Sequence, residues 1–302
     1  MSPMPRAVFI LAPLLIVLSL GACASASPTA TNDRIHVVAS TNVYGDIASA
    51  IGADRVDVTS IIADPSQDPH AFQADARVQL ALSRADIVIE NGGGYDAWID
   101  PLLSGSGNTD TTVVTVATLS GYDLNSPSGE FNVHLWYDFP TMSKLVNSLV
   151  ADFSRADPKS TSTFQSNAQT FESSLANLQQ EEGVIKSAQT GTGVAITEPV
   201  PLYMLNACGL HNLTPEQFSR SIQDETDVAP LVLRDTLELF SHHQVKALVY
   251  NEQTTGPETQ KVLDAATSAG IAIVPVTETL PPGKTYLTWM ASNLQLIASA
   301  LK

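Results

Sequence analysis

Basic side chains are scarce in this chain: 15 lysines and arginines stand against 31 aspartates and glutamates over 302 residues, a formal net charge of −16. A surface so short of positive charge repels phosphate backbones and anionic headgroups, so no nucleic-acid partner is expected. Cysteine is nearly absent, with only Cys23 and Cys208. Once Cys23 is assigned to a processed segment, Cys208 has no intramolecular disulfide partner and reads as a small buried apolar residue. No HExxH pair and no nucleophile elbow occurs, which removes the sequence signatures of two large hydrolase classes. No tight internal repeat is visible. Long apolar runs are missing too, apart from Ala7 to Ala22, which is too short and too poorly flanked for a stable membrane span.

With Arg6 ahead of it, that run reads as a secretory signal over residues 1–22. It ends in Leu20-Gly21-Ala22-Cys23, which resembles the bacterial lipobox, in which the cysteine is lipidated and becomes the new amino terminus. Acyl chains contribute about 0.8 kcal/mol per buried methylene, so a chain acylated at Cys23 is held to the extracytoplasmic face of the cell membrane without spanning it. Residues 23–33 are small and polar, as suits a flexible tether.

The remainder has a globular composition, and its β-branched runs alternate with helical patterns. IHVVAS, VDVTSIIA, DIVIENGGG and TTVVTVATL read as strands, separated by helices over 41–55, 74–85 and 96–105. Residues 118–133 are rich in turn formers and read as a loop. Asp138 is placed to cap a helix over 139–156, with Pro140 in its first turn. Next comes a long polar segment whose sparse apolar residues Phe164, Phe171, Leu175 and Leu178 recur at helical spacing. A mostly solvated helix of that kind bridges lobes. Strand patterns resume in TGTGVAIT, KALVYNE and IAIVPVT, with helices over 203–209, 231–244, 258–270 and 285–302. Residues 215–230 read as a polar stretch. The fold class is therefore α/β, with two Rossmann-like lobes of parallel sheet joined by a long bridging helix. The boundaries are 34–157 for the first lobe, 158–188 for the helix and 189–302 for the second lobe.

Ligands of open α/β sheets bind in the crevice beyond the carboxyl ends of the strands. Four metal-competent side chains sit there or in the following loops: His70 in QDPHAFQAD, His134 in HLWYD, Glu198 in TEPVP and Glu278 in TETLPPG. Two imidazoles and two carboxylates, two from each lobe, make an ordinary site for a divalent cation. Glu252 in VYNEQTT is a rival to Glu278 on the same rim. His242 and His243 lie at a helix end, and His36 and His211 look incidental.

DPHAFQAD, ENGGGYDAWID and HLWYD, in that order, resemble the metal-binding cluster of bacterial ABC-transporter substrate-binding lipoproteins, the zinc and manganese receptors of cluster A-I. The resemblance covers nearly the whole chain after the signal. It implies that His70 and His134 are the ligands from the first lobe, with Glu198 and Glu278 the ligands from the second. Zinc-type members usually have a third histidine where Glu198 stands, so the glutamate leans toward Mn²⁺ over Zn²⁺. The usual fourth ligand is aspartate, where this chain has Glu278. Asn132-Val133 replaces a common Asn-Pro, and Phe139 separates Asp138 from Pro140. Trp136 and Asp138 read as packing and capping residues. The function implied is capture of Mn²⁺ or Zn²⁺ by a monomer and delivery to an ABC permease, without catalysis. The alternatives are a lipid-anchored metallohydrolase, which needs an open coordination position, and a metal-dependent surface adhesin.

Overall fold

β-branched runs flanked by amphipathic helices build two four-stranded sheets in which every paired strand is parallel. The computed structural model describes residues 1–4, 34–65, 69, 72–124 and 131–302. His70, Cys23, the tether 23–33 and the expected signal beyond residue 4 lie outside the described residues.

The first sheet comes from β1 (Ile35–Thr41), α1 (Asn42–Gly52), β2 (Val56–Ile62), α2 (Ala76–Leu82), β3 (Ile87–Glu90), α3 (Ile99–Ser106), β4 (Thr112–Thr115) and α4 (Val116–Ser120). Two long helices follow, α5 (Phe139–Ala156) and α6 (Thr161–Gln189). The second sheet comes from β5 (Gly193–Ile196), α7 (Leu202–Ala207), β6 (His211–Asn212), α8 (Glu216–Gln223), α9 (Pro230–Ser241), β7 (Ala247–Asn251), α10 (Pro257–Ser268), β8 (Ala272–Val276) and α11 (Tyr286–Ala300). The spatial orders are β2-β1-β3-β4 and β6-β5-β7-β8, so both lobes are wound alike.

Period-2 alternation along the strands sorts side chains between cores. Val37 and Ala39 of β1, Ile87 and Ile89 of β3, and Val194 and Ile196 of β5 face a central core. Val38 and Val88 face the outer cluster of the first lobe, and Ala195 and Leu248 that of the second. The central core runs from Ile35 to Leu301 without a break between lobes, and Arg34–Lys302 form one compact unit.

Helix α6 explains that continuity. Phe164, Ala168, Phe171, Leu175, Leu178, Glu182 and Ile185 are buried along it at alternating steps of four and three residues. α6 packs against α1, α5, α7 and α11. The helix expected to be mostly solvated therefore also fills a core. Asp138 caps α5 as read from the sequence, its carboxylate accepting from the Thr141 amide at 3.2 Å.

Two local readings change. The strand expected through residue 119 stops at Thr115, because the Ala117 amide bonds Asn91 O at 2.8 Å and the chain turns into α4, which ends at Gly121 with φ 77°. The polar stretch 215–230 contains α8, whose inner face is only Phe218, Ser219 and Ile222. Among the described residues no helix is long and apolar enough to cross a membrane.

Candidate functional site

The carboxyl ends of β5, β7 and β8 deliver three polar side chains into the interior between the lobes. Glu198 lies two residues past β5, Asn251 ends β7, and Glu278 lies two residues past β8. Their exposures are 1 %, 1 % and 0 %. Two carboxylates so deeply buried demand compensating donors or a cation. Asn251 supplies donors, its Nδ2 reaching Glu278 Oε1 at 3.0 Å and Glu198 Oε1 at 3.2 Å.

From the first lobe come His134 and Tyr95, both buried. His134 opens the 3₁₀ turn Leu135–Tyr137, and its Nε2 stands 3.5 Å from Glu278 Oε2. Its other ring nitrogen lies 2.7 Å from Asn132 Oδ1, which also accepts the His134 amide at 3.2 Å. An amide oxygen can only accept, so Nδ1 carries a proton and Nε2 is the nitrogen that faces Glu278. A ring nitrogen and a carboxylate oxygen at that distance suit a proton or a cation shared between them. Trp136 packs edge-on against the imidazole, with ring centroids 5.3 Å apart. Tyr95 OH donates to Glu278 Oε2 at 3.2 Å. Burial, and then the charge of Glu278, push the Tyr95 phenol well above its ordinary pKa, so it stays a donor.

The glycine turn after β3 positions Tyr95. Gly92 has φ 73°, and a Cβ there would lie 2.5 Å from Thr115 Cγ2. Asp96 holds the turn by accepting from the amides of Asn91 at 2.6 Å and Gly92 at 2.8 Å. On the other side, Gln253 Oε1 accepts the amides of Glu278 and Thr279 at 2.5 and 3.1 Å. Gln253 Nε2 donates to Pro65 O at 3.2 Å, in the segment that leads toward His70.

Of the four ligands expected from sequence, His134 and Glu278 are in direct contact, and Glu198 joins Glu278 through Asn251. His70 lies outside the described residues, and among the described residues no three histidine, cysteine or acidic side chains are grouped closely enough to hold a metal. The rival Glu252 is exposed, as are His36, His211, His242 and His243. Cys208 is buried and unpaired, its thiol pushed up to about 12 by burial and then by Glu182. Asn251, Tyr95 and Gln253 were not singled out in sequence, and Asn132 was noted only as a departure from a family pattern. The signal that points to Asn132 is its place two residues before a histidine, where a side-chain oxygen can fold back on the ring.

The family model described as ZnuA, zinc-uptake complex component A, periplasmic, matches residues 37–300. The chain belongs to this family. It is 23 % identical over 272 residues to the manganese-binding lipoprotein MntA of Bacillus subtilis, covering 85 % of this chain and 84 % of that protein. It is 27 % identical over 186 residues to the iron ABC transporter substrate-binding lipoprotein MtsA of Streptococcus pyogenes, covering 58 % of this chain and 59 % of that protein. The fold is that of the periplasmic zinc-binding protein TroA from Treponema pallidum, with a TM-score of 0.73 at 19 % identity over 89 % of this chain and 99 % of that one.

Proposed function

We propose that this protein captures a divalent transition metal, Mn²⁺ or Zn²⁺, outside the cytoplasm and hands it to an ABC-type permease. The observation that carries the reading is the buried contact of His134 with Glu278 at 3.5 Å, with the ring proton committed to Asn132. That arrangement presents a ring nitrogen and a carboxylate oxygen to one point. Glu198 adds a second carboxylate through the Asn251 bridge, and His70, between β2 and α2 in the sequence, is the fourth ligand. Two carboxylates offset the charge of a divalent ion, and two neutral imidazoles complete a mixed donor set suited to both metals. The ligands come two from each lobe, which we divide at 34–157 and 189–302 about a linking helix at 158–188. Lipidation of Cys23 keeps the monomeric receptor beside its permease. A set of four protein ligands, three of them buried, suits transport, whereas hydrolysis needs an open coordination position.

The test is a competitive titration of Mn²⁺ and Zn²⁺ with elemental analysis. Wild type is expected to bind one ion per chain. Glu198→Ala is expected to lose more than the roughly 10–100-fold typical of outer-shell substitutions. Wild-type protein that binds neither metal, or a variant that binds as tightly, refutes the reading.

A further inference from the structure

We infer that Gln253 is the positioning residue of Glu278: its carboxamide, in place of the sheet, holds the backbone that carries this carboxylate, and affinity for the captured ion depends on that hold. The inference deepens the metal-capture reading above and rests on it. Pairing of β7 with β8 ends at Asn251 and Val276, with one further rung from the Glu252 amide to Val276 O at 3.0 Å. The next rung of an evenly spaced parallel ladder would take the Glu278 amide to the Glu252 carbonyl. A side chain replaces that rung. Asn251 Oδ1 accepts the Gln253 amide at 3.1 Å, an Asx turn that ends the strand. The Gln253 side chain lies along the end of β8, where its Oε1 accepts the Glu278 amide at 2.5 Å and the Thr279 amide at 3.1 Å.

Two backbone N–H groups can only donate, which assigns Oε1 to their side of the carboxamide and Nε2 to the other. Nε2 donates to Thr279 Oγ1 at 2.9 Å and to Pro65 O, in the first lobe, at 3.2 Å. One planar group therefore grips the 278–279 backbone and ties it to the opposite lobe. The side chain of Glu278 is 0 % exposed. Its Oε2 meets Tyr95 at 3.2 Å and His134 at 3.5 Å, and its Oε1 meets Asn251 at 3.0 Å. Held among these partners in the interior, the carboxylate follows its backbone. Gln253 makes its contacts with Glu278 through the main chain alone, so it acts on an ion through the placement of that ligand.

The principal variant is Gln253→Met, which keeps the length of the side chain and removes the carboxamide. The experiment measures Zn²⁺ and Mn²⁺ dissociation constants for wild type, Gln253→Met, Glu278→Ala and the double variant, with amide hydrogen exchange on the metal-free proteins. Gln253→Met is expected to weaken binding about 10–100-fold, as loss of an outer-shell partner does. In the Glu278→Ala background the same substitution is expected to cost nothing further, because its effect passes through Glu278. Exchange is expected to quicken in the peptide that contains Glu278 and Thr279 and to keep its wild-type rate in β1 and β5. Wild-type affinity in Gln253→Met overturns the inference. Equal penalties in the two backgrounds do so as well, since they would make Gln253 a general support of the fold. Unchanged exchange at Glu278 and Thr279, a readout that needs no metal, is the third overturning result. In each of these cases wild type still binds metal and the proposed function survives, whereas wild type that binds neither ion removes the function and the inference together.

Discussion

A buried imidazole serves as a ligand when its second nitrogen has a fixed destination for the proton, and Asn132 provides that destination for His134. The same asparagine donates through Nδ2 to Pro199 O at 2.9 Å, next to Glu198, so one side chain aligns the imidazole with the neighbourhood of the opposing carboxylate. Asn132→Ala is expected to weaken metal binding about 10–100-fold with the far-UV spectrum unchanged. Asn132→Asp, which keeps the acceptor while it gains a negative charge and loses the bond to Pro199, is expected to recover most of it. Equal affinity of the alanine variant and wild type in competition with a chelator would remove Asn132 from the site. At this scale the sequence was informative about acids and histidines at strand ends, because those side chains are costly to bury and rarely placed there without a partner. It was silent on Asn251, Tyr95 and Gln253, since amides and phenols are common at strand ends and in turns. Their partners lie 27 residues away in one case and 183 in another.

Helix α6 carries one polar exception in its apolar stripe. Glu182 occupies the step between Leu178 and Ile185 and is 6 % exposed. Burial, and then the nearby charge of Asp138, raise its pKa to about 8, so the folded protein holds a proton there that the unfolded chain releases near its ordinary 4.5. The folded state binds more protons between those values, and the contribution of Glu182 to stability therefore falls as pH rises from about 5 to about 8. Urea midpoints at pH 5, 6.5 and 8 check the sign. Glu182→Gln is expected to flatten this slope relative to wild type and to be the more stable protein at pH 8, by about 1–3 kcal/mol. A wild-type slope shared unchanged by the variant would assign it to other groups. The apolar positions of α6 were legible because Phe164, Phe171, Leu175 and Leu178 keep helical spacing whatever surrounds them. The existence of α8 was not, since Phe218 and Ile222 are too few to set a period. The turn into α4 depends on a hydrogen bond to Asn91, which no local pattern encodes.

At the scale of the molecule, the shared winding of the two sheets followed from the alternation of strands and helices, whereas their union did not. It depends on contacts between distant segments. Tyr286 OH donates to Trp136 O at 2.7 Å, and Tyr137 OH to Thr277 O at 2.9 Å. Asn42 pairs twice with the Leu280 backbone, at 2.9 Å each way, and Asp46 accepts the Tyr286 amide at 2.7 Å. Added to a core continuous through α6, these bonds leave neither lobe a complete core of its own, so the lobes should unfold together. Any ligand that binds only the folded chain then stabilises both lobes. At free metal 100-fold above its dissociation constant the gain is about 2.7 kcal/mol. For a chain of this size that raises the melting temperature by about 4–5 °C. Far-UV circular dichroism and the near-UV signal of the buried aromatics are expected to give one coincident midpoint, with and without metal. Two transitions, or a metal-induced shift confined to one of two probes, would show that the lobes part before they unfold and that the shared core does not couple them.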